Sequence, residues 1–409
     1  MLRLGARIAA VCFTIVLMLG LTAGSALAGQ VAGIQTHVLW ASVDDAGMLR
    51  QLDLVKSSGA RMTRVDVGWA SLQERSGDEW SAYHLGRLDR LVAAANARGI
   101  DLLLTFMNTP CWAASAPDSV KQGCQGAWWD RGVTAYAPSD AGAYARALAF
   151  LAARYGDKVA AWEVWNEPNH PDFWHSSDQA RDYVRLLKAT YPAVKAANPR
   201  ATVIGGALST SDYAFTQRLY DLGAKGSFDA FSVHPYSDDL SPLDTRPGAD
   251  ARYSFVRGVP KIRQTMLANG DSRPLWLTES GWTTSTLRGS EHWRNGVSES
   301  AQALYVRQQA QQIARWPYVK ANIVFNLLDT GSDRADRNAN FGLMRADGSA
   351  KPAFASIRTA AARLAAKPRA RAATATPKAK KAKRRKAARA RAARARHHRH
   401  HRRVSHRSR

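Results

Sequence analysis

The sequence predicts a closed (β/α)8 barrel of the TIM type. From Gln30 onward, eight short apolar segments alternate with eight longer amphipathic ones. No G-x-G-x-x-G turn follows an early strand, as an open doubly wound sheet would want. Two acids, Glu167 and Glu279, stand where the fourth and seventh apolar segments open into loops, and barrels of this class gather their working groups at the carboxyl ends of the strands.

In order, a strand at 31–40 precedes a helix at 44–58, and a strand at 60–69 precedes a helix at 82–98. The third strand, 100–108, leads into a polar loop with two cysteines and then a helix at 140–155. The fourth, 159–165, is followed by a helix at 178–197 that Asn198 and Pro199 stop. Strands at 201–207 and 228–236 are followed by helices at 213–222 and 253–268. The last two pairs are a strand at 274–278 with a helix at 299–315, and a strand at 319–328 with a helix at 352–366.

The chain has 409 residues, a hydrophobic content of 45 % and a net charge of +25. That charge is unevenly placed: residues 367–409 hold 19 Lys and Arg and no acid, whereas residues 29–366 hold 37 basic and 33 acidic residues. Residues 1–28 read as a secretory signal, with Arg3 and Arg7, an apolar run at 8–21 and the small-residue end Ala26-Leu27-Ala28. Cys12 would leave with it. The mature chain is then extracellular, without a membrane span, and Cys111 and Cys124 are expected to form a disulfide that pins their loop. The segment 29–366 reads as the catalytic domain. The tail at 367–409, rich in Ala, Lys, Arg and finally His, lacks the apolar mass to fold and is expected to be disordered. It suits an anionic cell-surface polymer or extracellular nucleic acid, or else is a solvated extension with no dedicated partner.

The motif WEVWNEPN at 162–169 carries an acid out of a buried strand, and PLWLTESGW at 274–282 does the same. Burial makes a carboxyl harder to ionise, which suits general-acid work near neutral pH, and two carboxyls at strand ends suit glycosidic bond chemistry. Asn166-Glu167-Pro168 and Thr278-Glu279-Ser280, with TRVDVGW around Arg64, SVHPY with His234 and Tyr236, and the closing FGLMRADGSAKPAFASI, resemble the retaining glycoside hydrolases of clan A. WEVWNEPN and TPCWA are most similar to family 39, with family 5 next. The resemblance implies that Glu167 is the acid/base, Glu279 the nucleophile and Asn166 a partner of the sugar 2-hydroxyl, on a β-linked poly- or oligosaccharide and with no cofactor or metal.

Strict alternation would put Asn166 and Glu167 on opposite faces, so a turn or bulge is required after the fourth strand. Arg64 and Asp66 share parity, as do Glu163 and Glu167, and inward charges need partners. Arg64 can reach Glu163, a structural contact, or Glu279, which would hold the nucleophile ionised. His37, His234 and Tyr236 are candidates to line the sugar, and Trp69, Trp112, Trp165 and Trp282 to stack on it. Strand eight departs from the clan pattern, with Asn326, Leu327, Leu328 and Asp329 where a Trp often stands. The rival readings are a barrel that binds cell-surface carbohydrate without cutting it, and a polyanion-binding protein that works through its tail.

Overall fold

A computed structural model describes residues 29–246 and 250–366. The expected signal at 1–28 and the basic tail at 367–409 lie outside the described residues. Eight strands pair in parallel, each with the next, and β8 closes on β1. They are β1 (Val31–Gln35), β2 (Met62–Gly68), β3 (Asp101–Met107), β4 (Ala161–Val164), β5 (Val203–Ser209), β6 (Ala230–His234), β7 (Leu275–Leu277) and β8 (Val319–Val324). The expected (β/α)8 barrel is what forms.

Eight principal helices alternate with them: α1 (Asp45–Ser58), α2 (Ala82–Ala97), α3 (Ala141–Tyr155), α4 (Gln179–Ala197), α5 (Tyr213–Asp221), α6 (Phe255–Ala268), α7 (Glu299–Ile313) and α8 (Pro352–Ala365). Six begin with a side chain that accepts a free amide of the first turn: Asp44, Ser81, Asp140, Asp178, Asp212 and Ser298. Each such cap contributes about 1 kcal/mol. At α8 a proline at the first position, which has no amide to satisfy, serves instead.

The helices bury one face against the outside of the barrel, and the inside is filled in two layers. At the amino-terminal end Val31, Met62, Leu103, Ala161, Ile204, Ala230, Trp276 and Ile323 form an apolar plug. One inward position further along, the same strands carry Arg64, Thr105, Glu163, Ser232 and Thr278, all buried. Asp66, Thr105 and Glu163 are register neighbours across β2, β3 and β4. The sequence thus places a polar layer directly above a dry floor, at the carboxyl mouth. Among the described residues, no helix is long and apolar enough to cross a membrane.

Seven of the eight strands are shorter than the sequence suggests, β1 and β8 by several residues at their carboxyl ends. β1 ends at Gln35, and residues 38–43 instead form a turn whose carbonyls Arg87 holds from α2, Nη2 donating to Val38 O at 3.1 Å and to Val43 O at 2.6 Å. β8 ends at Val324, after which Leu328 bridges to Met344 in the closing loop. The cysteine loop folds into short 3-10 turns around Trp128 and Val133, and the Cys111–Cys124 disulfide closes it as expected.

Candidate active site

The required irregularity after β4 is present. Trp165 and Glu167 both take left-handed backbone, with φ of 70° and 44°. Such conformations cost on the order of 1–3 kcal/mol each for non-glycine residues and persist only where the surroundings fix them. Here Trp165 N donates to Phe106 O at 3.0 Å and Glu167 N to Ala207 O at 2.9 Å. The break in alternation lets Asn166 and Glu167 both serve the mouth. On β5, Gly206 sits at φ 114°, where an added Cβ would lie 2.3 Å from Ser232 O, so only glycine permits that close approach.

Arg64 is the hub of the polar layer. Its guanidinium, fully buried, donates from Nε to Glu163 Oε2 at 2.8 Å and from Nη1 to Glu279 Oε1 at 2.7 Å. Nη1 also reaches Gln35 Oε1 at 2.8 Å, and Nη2 reaches Asn166 Oδ1 at 2.8 Å. Both contacts left open by the sequence are therefore made at once. Burial opposes the charge on Arg64, but Glu163, Asp66 and Glu279 outweigh burial and raise its pKa. A guanidinium only donates, so it fixes the Asn166 amide with oxygen toward Arg64 and nitrogen toward the mouth.

Glu163 accepts three side-chain bonds, from Arg64, from Thr105 Oγ1 at 2.8 Å and from Ser232 Oγ at 2.8 Å. Burial would raise its pKa, but Arg64 and His234 outweigh burial and hold it below the ordinary value. It is a structural counter-charge beneath the mouth.

Glu279 accepts from Arg64 on one oxygen and from Tyr236 Oη, at 2.8 Å, on the other. Burial and the charges of Glu279 and Glu167 push the Tyr236 phenol well above its ordinary range, so it stays a donor. Glu167 Oε1 lies 2.8 Å from His234 Nδ1, and Glu279 Oε2 is 3.8 Å from the same nitrogen. Burial lowers the pKa of His234, but the two carboxylates more than reverse that and raise it. One oxygen of Glu167, one of Glu279 and a ring nitrogen of His234 lie within 4.8 Å of one another. Three such atoms could hold a cation geometrically, but their mutual bonds and Arg64 already account for the approach.

His37 lies just beyond β1, with Nε2 3.1 Å from Asn326 Nδ2 and its ring stacked on Trp40 at 4.1 Å. The tryptophans divide. Trp69, Trp165 and Trp282 are buried, with indole nitrogens bound to Gln73, to Phe173 O and to Leu240 O respectively. They are packing residues, a correction to the stacking role, because a covered indole has no face to offer a sugar. Trp112 is half-buried, edge-on to Trp69 and bound to Gln73 O at 2.7 Å.

Sequence reasoning passed over Gln35, Thr105 and Ser232, whose signal is a polar side chain at an inward position of an apolar strand. It also passed over Phe325, half-buried at the end of β8, edge-on to Tyr236 at 6.5 Å and to Phe341 at 5.6 Å. Asp329 was noted only as a departure from pattern. Its Oδ1 accepts from Lys351 Nζ at 2.7 Å in a buried pair that ties the closing loop to the start of α8.

The chain resembles known proteins in the same terms. The sequence profile of glycosyl hydrolases family 39 matches residues 125–367. A beta-xylosidase of Geobacillus stearothermophilus is 26 % identical over 313 residues, which are 71 % of this chain and 58 % of that protein. This chain therefore spans under two thirds of that relative. A family 39 glycoside hydrolase from Bacteroides cellulosilyticus superposes with a TM-score of 0.64 at 22 % identity, covering 82 % of this chain and 64 % of that one. A family 39 beta-xylosidase from Caulobacter crescentus gives 0.55 at 20 % identity, covering 81 % and 70 %. These likenesses share the barrel, and the profile spans both strand-end acids and more than half the chain, so this protein belongs to glycosyl hydrolases family 39.

Proposed function

We propose that the protein hydrolyses a β-linked glycosidic bond with retention of configuration, with Glu167 as acid/base and Glu279 as nucleophile. The observation that carries this is the pair of strand-end carboxyls with an oxygen from each within 4.8 Å. Retaining enzymes hold their carboxyl groups roughly 5–5.5 Å apart, and inverting ones roughly 6.5–9.5 Å to admit a water between them.

The partners divide the labour. Glu279 accepts from a cation on one oxygen and from a phenol on the other, and the two donors aim its carboxyl group. Glu167 has Oε1 occupied by the His234 Nδ1–H, leaving Oε2 to carry a proton. In the first step that proton passes to the glycosidic oxygen as its bond to the anomeric carbon breaks, and a Glu279 oxygen bonds to that carbon from the opposite face. In the second, the Glu167 carboxylate takes a proton from water, whose oxygen displaces Glu279. The Asn166 amide nitrogen, turned outward by Arg64, is placed to donate to the sugar 2-hydroxyl, a contact that strengthens in the transition state.

The name of the Geobacillus relative makes a β-xyloside the first substrate to test. The disulfide supports export, as such bonds persist in oxidising compartments. The test is a panel of aryl β-glycosides and β-linked polysaccharides with wild type, Glu279→Gln and Glu167→Gln. Turnover lost in Glu279→Gln supports the reading. If glycan binds equally to all three and nothing is cleaved, the non-catalytic carbohydrate-binding reading replaces it.

A further inference from the structure

The mouth has an outer rim that the two-carboxyl chemistry does not use. Trp40 is 46 % exposed, unlike the covered Trp69, Trp165 and Trp282. One of its faces rests on His37 at 4.1 Å and 20° between planes. His37 in turn meets Phe325 at 5.7 Å, and Phe325 meets Tyr236, the donor to Glu279. A continuous aromatic wall thus runs from the nucleophile outward through β8 and β1 to a solvent-exposed indole.

The turn bearing Trp40 is held firmly. Trp40 N donates to His37 O at 3.0 Å and Val43 N to Trp40 O at 3.0 Å, while Arg87, a buried residue of α2, reaches Val38 O and Val43 O. A large apolar ring is kept in water on a pinned turn, beside polar atoms that lack partners. His37 Nδ1 and Asn326 Oδ1 are buried and have no hydrogen-bond partner. The exposed indole, rigidly held, fits a pyranose, whose apolar face can rest on it while its rim of hydroxyls stays in water.

The barrel fixes which part of the substrate lies there. Glu167 stands on the β4 side and protonates the leaving oxygen, so the leaving group lies toward β4. In a closed ring of eight, β8 and β1 are across the mouth from β4. The wall from Phe325 to Trp40 therefore borders the sugar attacked by Glu279 and whatever extends beyond its non-reducing end.

We infer that Trp40, backed by His37 and Asn326, forms a second glycone subsite, so that the preferred substrate carries at least two sugar rings on the Glu279 side of the cleaved bond. This rests on the glycosidase reading and deepens it: the enzyme releases or transfers an oligosaccharide unit rather than trimming single residues. The test compares an aryl β-glycoside of one sugar with the aryl glycoside of the corresponding β-linked disaccharide. Wild type is expected to show kcat/KM at least tenfold higher for the disaccharide, Trp40→Ala to cut that ratio about tenfold, and Trp40→Phe to restore most of it. A wild-type preference for the monosaccharide, or a ratio unchanged in Trp40→Ala, overturns the inference while leaving the glycosidase reading intact. If neither glycoside is cleaved, the glycosidase reading fails, and calorimetric binding of the same two glycosides decides the subsite. Tighter disaccharide binding lost in Trp40→Ala then supports it, and equal binding overturns it.

Discussion

Replacing Arg64 by Met isolates what the hub does. The methionine keeps most of the apolar stem, but it removes the cation from contact with Glu163, Glu279 and Asp66. Glu163 is then the exposed liability. It is fully buried, and two of its three donors, Thr105 and Ser232, are neutral. Removing one partner of a buried pair costs about 3–5 kcal/mol because the other charge is left uncompensated. A typical domain has about 5–15 kcal/mol in all. Urea unfolding at neutral pH should show that loss for Arg64→Met, and Arg64→Met with Glu163→Gln should recover about 0.5–3 kcal/mol of it, the scale of coupling for groups in one network. The pH dependence has a definite sign. Glu163 is held below its ordinary pKa, so in wild type its contribution is present above the unfolded value of about 4.3 and lost as pH falls through the folded value. The gap between wild type and Arg64→Met should therefore narrow as pH falls. Strict additivity of the two substitutions, or a gap that widens in acid, would refute the account of Arg64 as counter-ion to Glu163.

Other consequences follow from the same contacts. Lys351→Met strips the buried Asp329 of its cation and of a donor shared with Thr284, and should lower stability by about 3–5 kcal/mol in denaturant titration. Tyr236→Phe removes one charged-acceptor hydrogen bond of about 1.5–3 kcal/mol from Glu279. It should reduce kcat/KM roughly 10- to 150-fold with the fold intact by circular dichroism. His234 has a raised pKa through Glu279 and Glu167, so its contribution to stability is full below the unfolded value of about 6.5 and is lost as pH climbs through the folded one. The melting temperature of wild type should fall more steeply above about pH 6.5 than that of His234→Asn, and parallel profiles would contradict the assignment.

The fold was legible because each strand is a short apolar run and each helix an amphipathic one, and eight such pairs without a Gly-rich phosphate turn fit a closed ring. The acids were legible because Glu167 and Glu279 interrupt apolar strands at their ends. The turn after β4 was also readable, since parity alone forbids Asn166 and Glu167 from facing one way. What stayed hidden depends on three-dimensional crowding. Nothing in the chain order says that Trp69 lies under Trp112 while Trp40 stands in water. The turn after β1 is held by Arg87, a residue of α2 more than 40 positions downstream, reaching back to the carbonyls of Val38 and Val43. The pairing of Asp329 with Lys351 crosses a loop of 22 positions and has no periodic signature.

The central claim is that Glu279 attacks the anomeric carbon directly. Proton NMR of the first sugar released from a β-glycoside, recorded before mutarotation, tests it most directly. The account predicts that the β anomer appears first, and the α anomer appearing first would show that water attacks in a single displacement, which this arrangement of Glu167 and Glu279 does not allow.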